Sequence, residues 1–260
     1  MEILFTLSLW NGLLLMILLV TIPGIIVVFV VKGLIRNDLT KQHIRVGRLL
    51  FRVSASLLAL LISLSYANEK IAYNKVTDSL EEEASLISTV FLKLKMHNSD
   101  VANMIRKDLK EYVEYTIEDD WKSAVDNPYF SGMAGTIRHI NILARELPAE
   151  TESQSLLKLE IISDIDLITR TMQIKYYSTH FKLPYLFYIL GFGLVVTWSF
   201  FAVYTLDRVS VSFLTLYNIF VAVVIYFVIM LGNPLVGPLK IKPVPFEILS
   251  EKGLDKLSWP

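Results

Sequence analysis

The chain has 260 residues, 53% of them hydrophobic, and its mean hydropathy of +0.50 is above what a water-soluble globular domain normally carries. The 25 acidic and 25 basic residues cancel, so the charge balance gives no reason to expect a nucleic acid partner. The sequence has no cysteine, which excludes disulfides, thiolate metal sites and a cysteine nucleophile.

Four long segments contain no Asp, Glu, Lys, Arg or His, and as helices they rise about 24 to 44 Å, against a hydrocarbon core of about 30 Å. A charge-rich segment separates the first two from the last two. We therefore predict an all-α integral membrane protein with four transmembrane helices and an extramembrane helical bundle between the pairs. The apolar segments cover residues 3–31, 53–68, 183–206 and 209–231.

The predicted domains follow this pattern. The first is a transmembrane pair with a basic loop, the second the bundle, the third another transmembrane pair, and the fourth a tail rich in Pro and Gly. Their residues are 1–68, 69–182, 183–232 and 233–260.

The N-terminal apolar run lacks the positive start and the small-residue cleavage site of a secretory signal, so we expect a retained helix. Residues 13–31 are expected to span the bilayer, whereas those before Asn11 lie in the interface or extend the helix. Pro23, followed by Gly24, is expected to kink the helix because proline removes a backbone donor.

The connection between the first two apolar segments contains six basic residues and a single acid, Asp38. Lys and Arg next to membrane helices are retained on the cytoplasmic side, so we expect this loop in the cytoplasm. Four spans then place the bundle outside, which in a bacterial inner membrane means the periplasm. The bases are Lys32, Arg36, Lys41, Arg45, Arg48 and Arg52.

The middle segment carries apolar residues at helical spacing, which predicts a bundle of amphipathic helices. Ser99 and Thr151 are expected to cap two of them, and Asn127-Pro128 to end one. The predicted core stripes are Leu80, Ala84, Ile87, Phe91 and Leu94; Val101, Ile105, Leu109, Val113, Ile117 and Trp121; Met133, Ile137, Ile140 and Ala144; and Leu157, Ile161, Ile165, Ile168 and Met172.

Residues suited to catalysis or metal binding are sparse. The four histidines show no metal-ligand spacing, and the acidic runs 81–83 and 118–120 are interpreted as solvated helix faces. The apolar segments contain neither a His and Ser pair for hydrolysis nor an ionisable group for a proton relay. We therefore expect no enzyme, no metal and no cofactor.

The polar residues of the second apolar segment leave two interpretations open. Ser56 and Ser63 either line a passive pore or form hydrogen bonds between packed helices. Arg48 and Arg52, one helical turn apart, either attract anions at a pore mouth or extend to lipid phosphates.

The C-terminal tail supplies a family resemblance. Asn233, Pro234 and Gly237, followed by Pro245 and Phe246, resemble the C-terminal signature of the bestrophin-like membrane proteins of bacteria and plants. Asn233 stands where that family often has an acid. The glutamates near residue 81, the stretch 112–121 and Leu183-Pro184 fit the same family, so the resemblance covers nearly the whole chain.

The resemblance implies a distant kinship to bestrophins, which are pentameric anion channels with four spans per subunit. From it we expect a homo-oligomer in the lipid bilayer that passes small anions. The alternative from another functional class is a membrane-anchored sensor or scaffold, whose bundle binds a ligand or a partner protein.

Overall fold

The computed structural model describes residues 2–35, 39–118, 132–180 and 185–254, and the regular elements in these ranges are α-helices. The predicted all-α class is confirmed. The helices are α1 (Glu2–Thr6), α2 (Leu9–Ile35), α3 (Lys41–His97), α4 (Asp100–Glu118), α5 (Gly132–Arg145), α6 (Glu152–His180), α7 (Tyr185–Phe201), α8 (Arg208–Leu231) and α9 (Val244–Lys252).

Three of these helices, α2, α3 and α8, are long and apolar enough to cross a membrane. The chain is therefore an integral membrane protein by the length and composition of its helices. Helix α7 is also apolar but has 17 residues, which at about 1.5 Å per residue is close to 25 Å.

The chain divides into two compact units. We call Met1–Tyr73 with Lys182–Leu239 the membrane unit, and Asn74–Phe181 with Lys240–Pro260 the bundle unit. Helix α3 contributes its first half to the membrane unit and its second half to the bundle unit.

In the membrane unit, α2 packs against both α7 and α8. Aromatic rings close one end of this unit: Phe51 lies 5.4 Å from Phe201 and 5.7 Å from Tyr204 between ring centroids. At the same end, the Lys32 ammonium donates a hydrogen bond of 2.8 Å to the carbonyl of Tyr204. The end of α2, the start of α3 and the turn before α8 therefore lie together.

Of the two alternatives predicted for the N-terminal residues, one helix that extends through the whole run is wrong. Rather than one extended helix, the chain forms a separate α1, breaks at residues 7–8 and restarts at Leu9. The Ser8 hydroxyl and carbonyl then accept hydrogen bonds from Asn11 and Gly12, respectively, as a helix cap would. Pro23 lies inside α2 without ending it.

The bundle unit has the predicted apolar core. The stripes of α3 to α6 supply fully buried residues, and the caps at Ser99 and Thr151 are confirmed: their hydroxyls accept from Ala102 N and Gln154 N, both at 3.2 Å. Asp120, Trp121, Asn127-Pro128 and Leu183-Pro184 lie outside the described residues. Buried representatives are Ile87, Phe91, Leu94, Ile105, Leu109, Ile140, Ile161, Ile165 and Ile168.

Candidate functional site

One exposed face of α3 in the membrane unit carries mostly basic, small and hydroxyl side chains, with Tyr66 as its large aromatic residue. At 3.6 residues per turn, its positions fall within an arc of about 80°. All of them are exposed. We call this set the α3 stripe: Arg45, Arg48, Arg52, Ser56, Ala59, Ser63 and Lys70.

The remainder of the helix separates cleanly into two other faces. Leu58 and Ile62 are buried, and Leu58 reaches Gly193 of α7, so this face packs inside the unit. A third face carries exposed Val53, Leu57, Leu60 and Leu64, and it lies about 100° around the helix from the stripe. The apolar exposed face is suited to contact with lipid tails, whereas the cations and hydroxyls of the stripe are not.

The charges of the stripe lie towards its two ends. Arg52 and Lys70 are separated by a rise of about 27 Å, close to the thickness of a hydrocarbon core. Between them the stripe holds Ser56, Ala59 and Ser63, and the exposed Tyr66 lies on the same face. The acid of this helix segment, Glu69, has its carboxylate against Gly232 of the membrane unit rather than on the stripe.

The predicted residues Arg48, Arg52, Ser56 and Ser63 are thus brought to one face by the structure. The guanidinium of Arg48 also stacks over the Tyr204 ring, 5.3 Å from its centroid. Other serines of α3 behave differently: Ser54 donates to the carbonyl of Phe51, and buried Ser65 donates to that of Leu61. Those two have a local role within the helix.

The bundle unit holds a buried polar cluster. Glu83 of α3 is fully buried, and one carboxylate oxygen accepts a hydrogen bond from the Tyr112 hydroxyl. The other lies 3.3 Å from the Thr171 hydroxyl, whose one proton is shared with the Ile168 carbonyl at 2.8 Å. Burial raises the pKa of Tyr112 well above 10.0, and the charge of Glu83 adds to the rise. The interpretation of the run 81–83 as wholly solvated is therefore wrong for Glu83, since it points into the bundle while Glu81 and Glu82 are exposed.

The tail signature divides between the two units. In the membrane unit, Asn233 donates a 2.8 Å hydrogen bond to the carbonyl of Ile229 and so caps α8, while Pro234 is buried. Gly237 has a positive φ of 84°, a conformation that glycine adopts without strain. In that turn its backbone lies against Phe5 of α1.

The rest of the signature forms α9 in the bundle unit. Pro245 occupies the first turn of α9, where its missing N–H costs nothing. Phe246 is fully buried, and its ring lies 6.4 Å from that of Tyr112. Three segments of the family resemblance therefore meet in one place, at Glu83, Tyr112 and Phe246.

Sequence reasoning did not select Arg45, Ala59 or Lys70 for the stripe. Their spacing of three, four or seven residues from Arg52, Ser56 and Ser63 was the available signal. This spacing is hard to interpret from sequence alone. In a helix surrounded by lipid and other helices, the sequence does not show which face is exposed and which is buried. Within the described ranges, no group of three His, Asp or Glu side chains is arranged to hold a metal ion.

The sequence model of the Bestrophin-like domain matches residues 18–246, which is most of the chain and ends at Phe246. No curated protein matches the chain.

Proposed function

This chain belongs to the bestrophin-like family, and from that premise we propose that it forms a homo-oligomeric, passive conduit for small anions. The α3 stripes of several copies surround the path. The observation that carries the proposal is the stripe itself: polar, small and basic residues that are exposed on a helix whose other exposed face is apolar.

A second copy of the chain is the occupant that fits this surface best. In a closed ring each subunit presents the same patch to the axis, so one stripe becomes a complete polar lining. A lone subunit would instead expose the hydroxyls of Ser56 and Ser63 to hydrocarbon, which offers them no hydrogen-bond partner. Association therefore removes a cost that the protomer carries.

The charges favour anions. Arg45, Arg48 and Arg52 gather at one end of the stripe and Lys70 lies near the other, so a ring of copies places positive charge at both mouths. Ser56 and Ser63 offer hydroxyl donors between them. A conduit of this kind needs no catalytic group, no cofactor and no proton relay.

The proposal includes α7 as a fourth span and the orientation expected from the basic loop. Helix α7 is somewhat short for a hydrocarbon core of about 30 Å, and local bilayer thinning accommodates such a difference at modest cost. The basic end then faces the cytoplasm, and the bundle unit lies outside, in the periplasm of a bacterium.

The test is chloride flux into liposomes that contain the purified protein, followed with a chloride-quenched dye. We expect wild-type flux well above empty vesicles and a fall of about tenfold in Arg52→Glu, because a charge lining a focusing path changes local anion concentration by that order. Arg208→Glu is the matched control: Arg208 is exposed at the start of α8, off the stripe, and the variant changes the net charge equally. Wild-type flux at the level of empty vesicles would refute the conduit.

A further inference from the structure

A buried polar cluster in the membrane unit contains two groups without partners. Asn218 of α8 is fully buried, and its carbonyl oxygen accepts a 2.8 Å hydrogen bond from the indole N–H of Trp198. The amide nitrogen of Asn218 and the hydroxyl of buried Thr21 have no hydrogen-bond partner in the part of the chain that the structure describes.

The orientation of the Asn218 amide is fixed by chemistry. The indole of Trp198 has a donor and no acceptor, so the atom that faces it must be the amide oxygen. Flipping the amide would place two donors against each other. The Nδ2 group, with two N–H donors, is therefore the one left facing α2.

Gly24 shows where that nitrogen lies. A Cβ built on Gly24 would be 2.6 Å from Asn218 Nδ2 and 2.8 Å from the Trp198 ring, so the amide rests directly on the bare backbone of α2. Thr21 precedes Gly24 by three residues, which places it on the same side of α2, about 4.5 Å along the axis. Both unpaired groups thus belong to one interface between helices.

The Thr21 hydroxyl differs from those of buried Thr197 and half-buried Thr215. Thr197 and Thr215 satisfy theirs by donating to carbonyls one turn back, Gly193 and Val211, at 2.8 and 2.9 Å. Thr21 forms no such bond. Unpaired polar groups are rarely tolerated in a helix interface at membrane depth, because no bulk water is available there.

We propose that one ordered water molecule binds at this interface, accepting from Asn218 Nδ2 and bonding to Thr21 Oγ1. A water with two bonds of about 2.9 Å spans partners up to about 6 Å apart, and Thr21 lies about one turn of α2 from Gly24, on which the Asn218 amide rests. An anion fits less well, since residues 9–31 and 209–231 supply no cation to offset its desolvation. The site is independent of the conduit.

The test is magnetisation transfer from water to side-chain amides, measured by solid-state NMR on proteoliposomes made from protein labelled with ¹⁵N at asparagine. The Asn218 signal is assigned by its absence in Asn218→Ser. We expect transfer to Asn218 in the wild type, reduced at least twofold in Thr21→Val. Thr197→Val is the matched control, because it removes a buried hydroxyl that already has a partner, and transfer should be unchanged there.

Two results would overturn the inference. Absence of transfer to Asn218 in the wild type, measured without any substitution, would show a dry interface. Equal transfer in the wild type and in both Thr→Val variants would show a water that does not bridge to Thr21. Chloride flux plays no part in either readout, so failure here and failure of the conduit are distinguishable.

Discussion

Phe246 illustrates how much one side chain contributes to the bundle unit. It is fully buried against Tyr112, and it is the apolar anchor of the nine-residue helix α9. We expect Phe246→Ala to lower the free energy of unfolding of the bundle by about 3 to 5 kcal/mol, as buried phenylalanine truncations do. Chemical denaturation of the detergent-solubilised protein measures this.

Val244→Ala is the matched control for that substitution. Val244 lies on the same helix but is 45% exposed, so its truncation should cost no more than about 0.5 kcal/mol. Equal effects of the two substitutions would show that α9 does not dock on the bundle through Phe246.

Tyr112 gives the bundle a specific alkaline sensitivity. Its pKa is raised in the folded state, so its stabilising contribution is complete below the unfolded value of 10.0 and is lost as the pH rises past it. Each pH unit above that value costs up to about 1.4 kcal/mol. We expect the melting temperature to fall less between pH 9 and pH 11 in Tyr112→Phe than in the wild type, by about 3 °C.

Lys93 is a second group whose titration lowers the stability of the bundle at high pH. Its burial lowers its pKa, but the ion pairs with Asp164 and Glu160, at 2.8 and 3.1 Å, outweigh burial and raise the pKa. Its contribution is therefore also lost at high pH, and it remains in both proteins. Identical melting curves of wild type and Tyr112→Phe across this pH range would contradict a buried neutral phenol.

The sequence predicted most apolar positions of the bundle but not its polar centre. Leu80, Ile87 and Leu94 follow from period alone, because burial of a helix stripe is what the period reports. Glu83 cannot be found in this way. A glutamate in a run of three is nearly always solvated. The hydroxyls of Tyr112 and Thr171, which the tertiary fold places beside Glu83, offset the cost of burying its carboxylate.

At the scale of single elements, the contact of α2 with α8 depends on a glycine. A methyl group on Gly24 would lie within 3.0 Å of Asn218 and Trp198, whose side chains are held by each other. We expect Gly24→Ala to destabilise the membrane unit by about 1 to 3 kcal/mol, the usual cost of overpacking. Unfolding by titration with a denaturing detergent provides the measurement.

Gly33→Ala is the control on the same helix. Gly33 has no atom within 4 Å of its Cβ position, so alanine there should stabilise α2 slightly through its higher helix propensity. If Gly24→Ala were as stable as Gly33→Ala, the close approach of α2 and α8 would be incorrect.

Some helix boundaries could be predicted from local sequence and others could not. The caps at Ser99 and Thr151 follow from side chains next in sequence to the backbone groups that they satisfy. The break at residues 7–8 was missed, because an unbroken apolar run of residues hides a turn. The Ser8 cap is local, whereas the packing of α1 against α2, with Phe5 near Gly237, is a tertiary contact.

For the whole molecule, the proposed orientation can be tested because the chain has no native cysteine. Thr40 and Ser85 are exposed and lie in the basic connection and in the bundle unit, whereas Ser79 is buried and unsuitable. We expect a membrane-impermeant maleimide to label Ser85→Cys, but not Thr40→Cys, in intact bacterial spheroplasts. The reverse pattern would invert the topology.

The family, the helical class and the membrane setting could be predicted from sequence because composition and order of elements carry them. The stripe could be predicted only in part. Arg52 and Ser63 stand out as polar residues beside or within an apolar run, but whether such a residue is exposed depends on which face of α3 packs inside the unit.

The most direct test of the account is a cysteine scan along α3 in the chloride-flux assay. Single cysteines replace Ser56, Ala59 and Ser63 on the stripe, and Leu57, Leu60 and Leu64 on the apolar face, before treatment with a bulky thiol reagent. We predict at least a fivefold loss of flux at the three stripe positions, where the adduct would obstruct the path, and no change at the three apolar ones. Loss of flux without that helical period, or on the apolar face instead, would contradict a path lined by the α3 stripe.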